Sequence, residues 1–182
     1  PAFLNFIGFP VVYCYNLLII FSNVLTAISA FYSYSVITKS RKIGILSASV
    51  YCLAFYRLLD IYSRAAVGEY LALIFCPLVV AGLVQILRDE TDKWYILTLG
   101  AWGIVQSHSL TLIMMVMFSG LFILVNIKEY LRKDKIIALL KAGVVVIILN
   151  LWYIIPMIEG MKIDLLVKKA GAGFYYTKSY LS

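Results

Sequence analysis

Charge is scarce in this chain. Asp, Glu, Lys and Arg together make up 14% of its 182 residues, where a soluble domain has about 25%. That is too few ionic groups to clothe a globular surface in water, which excludes an ordinary soluble fold. Acid is the scarcer sign, with 9 Asp and Glu against 16 Lys and Arg. Cysteine is confined to Cys14, Cys52 and Cys76, each inside an apolar run and far from the others. No C-x-x-C spacing occurs, so neither a redox pair nor a cysteine metal site is indicated, and the three read as small packing residues. Low-complexity linkers and internal repeats are absent. So are a Ser-His-Asp arrangement, a dinucleotide fingerprint and a paired-carboxylate arrangement. The first residues are apolar without a basic lead, unlike a signal peptide. With its start at Pro1 and its end at Ser182, the chain reads as an excerpt of a longer protein.

What is present is apolar. Hydrophobic residues make up 63% of the chain, and the mean hydropathy is +0.95. Lipid must cover such a surplus. The expected fold is therefore all-α: a polytopic transmembrane helical bundle over residues 1–156. A helix needs about 20 mostly apolar residues to cross ~30 Å of hydrocarbon. Spans are predicted at about 10–34, 43–62 and 67–87, the last containing Pro77 as a kink that opens a cavity. Residues 94–127 as a single helix would be about 51 Å long, too long for one crossing. The polar patch Gln106-Ser107-His108-Ser109 divides them into spans 94–107 and 109–127. A sixth span runs over 136–156, closed by Pro156, and residues 157–182 form a tail outside the bilayer.

Charge orients this layout. Lys39, Arg41, Lys42, Arg88, Lys93, Lys128, Arg132, Lys133 and Lys135 all fall on one side under six spans, which makes that side cytoplasmic. Lys162, Lys168, Lys169 and Lys178 in the tail run against that rule. The formal net charge of +7 then reflects topology and contact with lipid headgroups; no nucleic-acid face is visible. Trp94, Tyr95, Trp152 and Tyr153 sit near predicted span ends, as interfacial aromatics do. Gly100 and Gly103 suit close helix packing.

The polar residues that are not in basic loops gather at the opposite side. Arg57, Asp60 and Arg64 are spaced i, i+3, i+7 on one face of the second span. Glu69 and Tyr70 open the third span at the same level. His108 lies in the turn between spans four and five, and Asn150 and Glu159 flank the end of span six. Two readings stand side by side. In one, Arg57, Asp60 and Arg64 form a self-satisfied ladder, Glu69 complements a helix start, and His108 is a hydrogen-bonded turn residue. In the other, these residues line an outward polar pocket. There Arg57 and Arg64 would hold a phosphate. Glu69 and His108 would bind a divalent ion or act as a base, although a lone His and Glu are a sparse ligand set.

Several short motifs occur in a fixed order. They are Tyr62-Ser-Arg-Ala-Ala-Val-Gly-Glu-Tyr-Leu-Ala72, Cys76-Pro-Leu78, Trp94, Leu99-Gly100 and Gln106-Ser-His-Ser109. Leu149-Asn-Leu-Trp-Tyr-Ile-Ile-Pro156 and Glu159 follow. This order, over roughly residues 10–160, resembles the YfhO-like bacterial membrane proteins, some labelled "PTPS-related". That family looks like a branch of the GT-C membrane glycosyltransferases. The resemblance implies a polyprenyl-phosphate sugar donor and transfer to an envelope lipid or polymer at the outer face of the bacterial cytoplasmic membrane. It implies roles for Arg64, Glu69 and His108, with Glu69 and His108 catalytic; Asp60, Tyr70, Asn150 and Glu159, gathered at the same side, are expected in support. It also implies that the principal catalytic acid lies upstream of this excerpt. Two other classes stay open: a lipid or glycolipid transporter or flippase subunit, and a non-catalytic membrane scaffold. The inner halves of the spans look almost wholly apolar, which favours access from one side.

Overall fold

The structure is a computed structural model and describes residues 5–162. Those residues are helical, with no strand among them. Eight helices matter here: α1 (Val11–Thr38), α2 (Arg41–Cys52), α3 (Phe55–Tyr62), α4 (Val67–Leu87), α5 (Trp94–Ser107), α6 (Ser109–Val125), α7 (Ile127–Tyr130) and α8 (Lys133–Lys162). A 3₁₀ turn, Thr91–Lys93, leads into α5. Two compact units are distinguished, Pro1–Leu149 and Asn150–Ser182. The boundary falls within α8.

Three helices are long and apolar enough to cross a bilayer: α1, α4 and α8 over Lys133–Gly160. The bent pair α2 and α3 makes a fourth if it counts as one span. The chain is a membrane protein on this ground. The expectation of six full crossings is not met by length alone. Helix α5 has 14 residues and α6 has 17, about 21 and 26 Å at 1.5 Å per residue. Both fall short of the hydrocarbon thickness.

Helix α4 is the axis of the first unit. It carries Ala72, Val79, Ala81, Leu83 and Ile86 as buried residues. Helix α5 lies antiparallel against it through glycines. A Cβ on Gly82 would meet the backbone nitrogen of Leu97 at 2.6 Å, and one on Gly100 that of Val79 at 2.7 Å; one on Gly103 would run into the Phe75 ring. Small residues allow this approach, which lipid alone would not drive. Helix α6 then runs back beside α4. Leu112 and Met115 pack on the Val79, Leu83 and Ile104 cluster, and Phe122 and Ile123 pack on Ile86, Tyr130 and Ala138. Residues 94–125 thus form a helical hairpin that reverses at His108.

Pro77 leaves α4 continuous. Proline lacks the N–H that would bond the carbonyl four residues earlier, here that of Leu73. The Tyr51 hydroxyl donates to that carbonyl at 2.7 Å, and Ser29 Oγ donates to the next one, of Ile74, at 2.5 Å. Neighbouring helices thereby satisfy what proline exposes. Similarly, Pro156 does not end α8, which continues to Lys162. The predicted tail from 157 therefore begins as helix, and its part from 163 onward lies outside the described residues.

The second predicted span, 43–62, is broken. Helix α2 ends at Cys52, Ala54 is extended (φ −55°, ψ 129°), and α3 departs at 41° to α2. No glycine or proline marks the break. The carbonyl it frees on Cys52 accepts from Arg57 Nη1 at 3.4 Å, a basic side chain closing a helix C-terminus.

Candidate functional site

The two ends of the first unit differ in charge. At one end the loop after α4 meets the start of α8. Arg132 bonds Asp89 at 2.7 Å, and Lys135 reaches Asp89 at 3.1 Å and the Leu87 carbonyl at 2.7 Å. Lys135 and Arg132 hold the Asp89 carboxyl below its usual range, and Lys93, 2.7 Å from Glu90, does the same there. Arg88 donates to the last carbonyls of α1, those of Val36 and Ile37, at 2.9 and 2.8 Å. The basic loops are thereby knitted into one cap.

The opposite end holds the residues singled out from sequence. Helix α3 and the start of α4 are joined by a tight turn in which Ala65 takes a left-handed φ of 49°. The turn is closed by Ala66 N–H donating to the Asp60 carbonyl at 3.0 Å. It folds Arg64 back over α3. Arg64 Nη1 bonds Asp60 Oδ1 at 2.7 Å and the Tyr56 hydroxyl at 3.3 Å; Arg64 Nη2 pairs with Glu69 Oε2 at 3.2 Å. The Tyr56 hydroxyl in turn donates to Glu69 Oε1. Tyr56 and Glu69 make the Arg64 guanidinium still harder to deprotonate. Its side chain stays 47% exposed, while Asp60 is fully buried.

Arg57 departs from the expected ladder. It does not pair with Asp60. It points into the bundle, 2% exposed, where Nη2 donates to Thr26 Oγ1 at 2.8 Å and the guanidinium lies 4.6 Å from the Tyr70 ring centroid. The reason is local: the break after α2 and the Thr26 hydroxyl on α1 offer acceptors inside. Of the two arginines expected to hold a phosphate, only Arg64 is accessible. Tyr70 is likewise buried, as a platform for Arg57. The cavity that Asp60 and Tyr70 line with Tyr15 and Ile19 measures about 10 Å³, room for about one water.

His108 comes to the same end by another route. Its backbone is extended (φ −157°, ψ 119°), and Nδ1 accepts from the Thr111 N–H at 3.3 Å as the N-cap of α6. The Thr111 hydroxyl lies 2.9 Å from the same nitrogen. The close approach of α5 to α4 sets its place. A Cβ on Gly68 would meet the Ser107 carbonyl oxygen at 2.8 Å and His108 Cδ2 at 3.6 Å. Gly68 precedes Glu69, so this contact brings the start of α4 and the His108 turn to the same end of the unit.

Arg57, Asp60, Arg64, Glu69, Tyr70 and His108 thus share one end of the first unit. Asn150 and Glu159 belong to the second unit, both on α8, with Glu159 exposed. Tyr56 and Thr111 were not singled out from sequence. Tyr56 lies four residues before Asp60 and eight before Arg64, the helical spacing that signals a shared face. As placed, Glu69 and His108 do not make a metal site by themselves. Glu69 is engaged by Arg64 and Tyr56, His108 Nδ1 is turned to Thr111, and no group of three or more His, Cys, Asp or Glu side chains suited to a metal ion occurs among the described residues. Comparison of the chain with protein-family models, curated proteins and solved structures finds no match.

Proposed function

We propose that this chain is part of a multi-pass membrane glycosyltransferase of the bacterial cytoplasmic membrane, with its reactive end facing outward. It would transfer a sugar from a polyprenyl-phosphate donor to an envelope lipid or polymer. The carrying observation is the cluster of Arg64, Glu69, Tyr56 and His108 at the end of the bundle opposite the basic cap. Arg64 is a half-exposed guanidinium at the edge of a membrane domain, which suits a lipid-linked phosphate. The resemblance to the YfhO-like family and the basic cap, which the positive-inside rule places in the cytoplasm, support the same reading. Six crossings follow from it, with α5 and α6 as two short limbs.

In the reaction, the bond between the sugar's anomeric carbon and the phosphate oxygen breaks. A bond to the acceptor oxygen forms, and the acceptor's proton passes to a base. Arg64 would neutralise the charge that develops on the leaving phosphate. Glu69, held beside it by Tyr56, would orient the acceptor hydroxyl, with His108 as a further hydrogen-bonding group.

The test is envelope glycosylation in cells making the full-length protein with Arg64→Ala, Glu69→Gln or His108→Asn. Asparagine keeps an N-cap for α6. Arg64→Ala is expected to lower transfer by about 100-fold, the scale of losing one donor to a developing anion, at unchanged protein level. Glycosylation at parental level in all three variants would refute the proposal.

A further inference from the structure

The basic end carries cations that the cap does not use. Arg88 is committed to the end of α1, Lys93 to Glu90, and Arg132 and Lys135 to Asp89. Lys39 and Arg41, on either side of the turn between α1 and α2, are exposed and form no ion pair or side-chain hydrogen bond among the described residues. Both line a shallow groove of about 560 Å³ that continues up α1 along Ile28, Phe31, Tyr32 and Val36. Ile28 is 59% exposed and Phe31 37%.

The dimensions of the groove are those of one lipid leaflet. From Ile28 to Lys39 the helix rises about 16 Å at 1.5 Å per residue, against ~15 Å for half of the hydrocarbon core. An acyl chain lying on Ile28 and Phe31 would therefore bring its headgroup to the level of Lys39 and Arg41. Ser40 adds a polar group near that level. A zwitterionic headgroup would leave the two cations partly uncompensated, whereas a net negative one neutralises them. Arginine further offers a fork of N–H donors that fits phosphate oxygens.

We infer that this groove is a selective site for an anionic phospholipid, its phosphate held by Lys39 and Arg41 and one acyl chain laid along α1. The site is independent of the sugar-transfer reading, because it lies at the other end of the bundle.

The experiment is native mass spectrometry of the full-length protein in detergent. Phosphatidylglycerol and phosphatidylcholine of identical acyl chains are offered in equal amounts. One phosphatidylglycerol is expected to be retained about tenfold over phosphatidylcholine. Lys39→Gln with Arg41→Gln should bring the ratio close to one, while Lys128→Gln with Lys133→Gln, exposed cations of the same end outside the groove, should leave it unchanged. All four positions are exposed, so the variants are expected to fold. Equal retention of the two lipids by the parent would overturn the inference. So would an equal loss in both double variants, which would indicate diffuse surface charge. Displacement of the lipid by glycerol phosphate at similar concentration would also overturn it, because the acyl track would then contribute nothing.

Discussion

Arg57 takes a charge into the interior with no carboxylate paired to it among the described residues. Its compensation is a hydroxyl, a helix-end carbonyl and the face of Tyr70. Cation–π contact gains strength when both partners are desolvated, about 2 kcal/mol. The Thr26 hydroxyl is not orphaned if Arg57 is lost, since it donates to the Ser22 carbonyl at 2.7 Å. Arg57→Ala is expected to lose about 2–4 kcal/mol, mainly through the cavity left behind. Arg57→Met, which fills the volume without a charge to bury, should recover at least half of that. Denaturation of the full-length variants in mixed micelles measures both; an alanine variant as stable as the parent would show that Arg57 is not a structural group. At this scale the sequence was only partly legible. The i, i+3, i+7 spacing placed Arg57, Asp60 and Arg64 on one face. It did not reveal that the first turns inward and the last folds back, because spacing fixes direction around a helix and not the acceptors a side chain finds.

Among the elements, the closest pairing is α4 with α5, and glycine makes it possible. Gly100 faces the backbone of Leu78 and Val79, which has no rotamer by which to yield. Gly100→Val is expected to destabilise by about 1–3 kcal/mol as overpacking does, and to separate α5 from α4. Gly120→Ala, where nothing lies within 4 Å, should be neutral or gain up to about 1 kcal/mol from helix propensity. Comparable unfolding midpoints for the two variants would refute this account of the packing. The Gly100 and Gly103 spacing was readable as a packing face, and the polar patch at 106–109 was readable as a break. The bend between α2 and α3 was not. Nothing local punctuates Leu53 and Ala54; the break is compensated by Arg57 and by packing against other helices. The span 67–87 was readable through Pro77; what was not readable is that hydroxyls of Ser29 and Tyr51 take up the carbonyls beside it.

For the whole molecule, composition alone was enough for a helical membrane protein, because so few charges leave no alternative to lipid. Which loops meet was also implicit: alternation of direction brings residues 39–42, 88–93 and 128–135 to one end. The number of complete crossings was not, since α5 and α6 are individually short. Cysteine accessibility in intact cells distinguishes the possibilities. In a full-length protein with Cys14, Cys52 and Cys76 replaced, Arg64→Cys and His108→Cys should react with an impermeant maleimide added outside. Lys128→Cys should react only after permeabilisation. Labelling at position 64 with protection at 108 would mean that α5 and α6 do not carry the chain across and back.

The capping bond of His108 reaches beyond the helix it starts. A backbone N–H can only donate, so the Nδ1 that receives it from Thr111 must carry a lone pair. In the neutral ring the proton then resides on Nε2, the nitrogen left over for anything outside α6. The tautomer is set by folding. Toward a bound molecule, the neutral imidazole is thus a giver of a hydrogen bond and not a taker. In the transfer proposed above, the acceptor's proton would then go to a carboxylate, and the imidazole would suit the oxygen that gains negative charge.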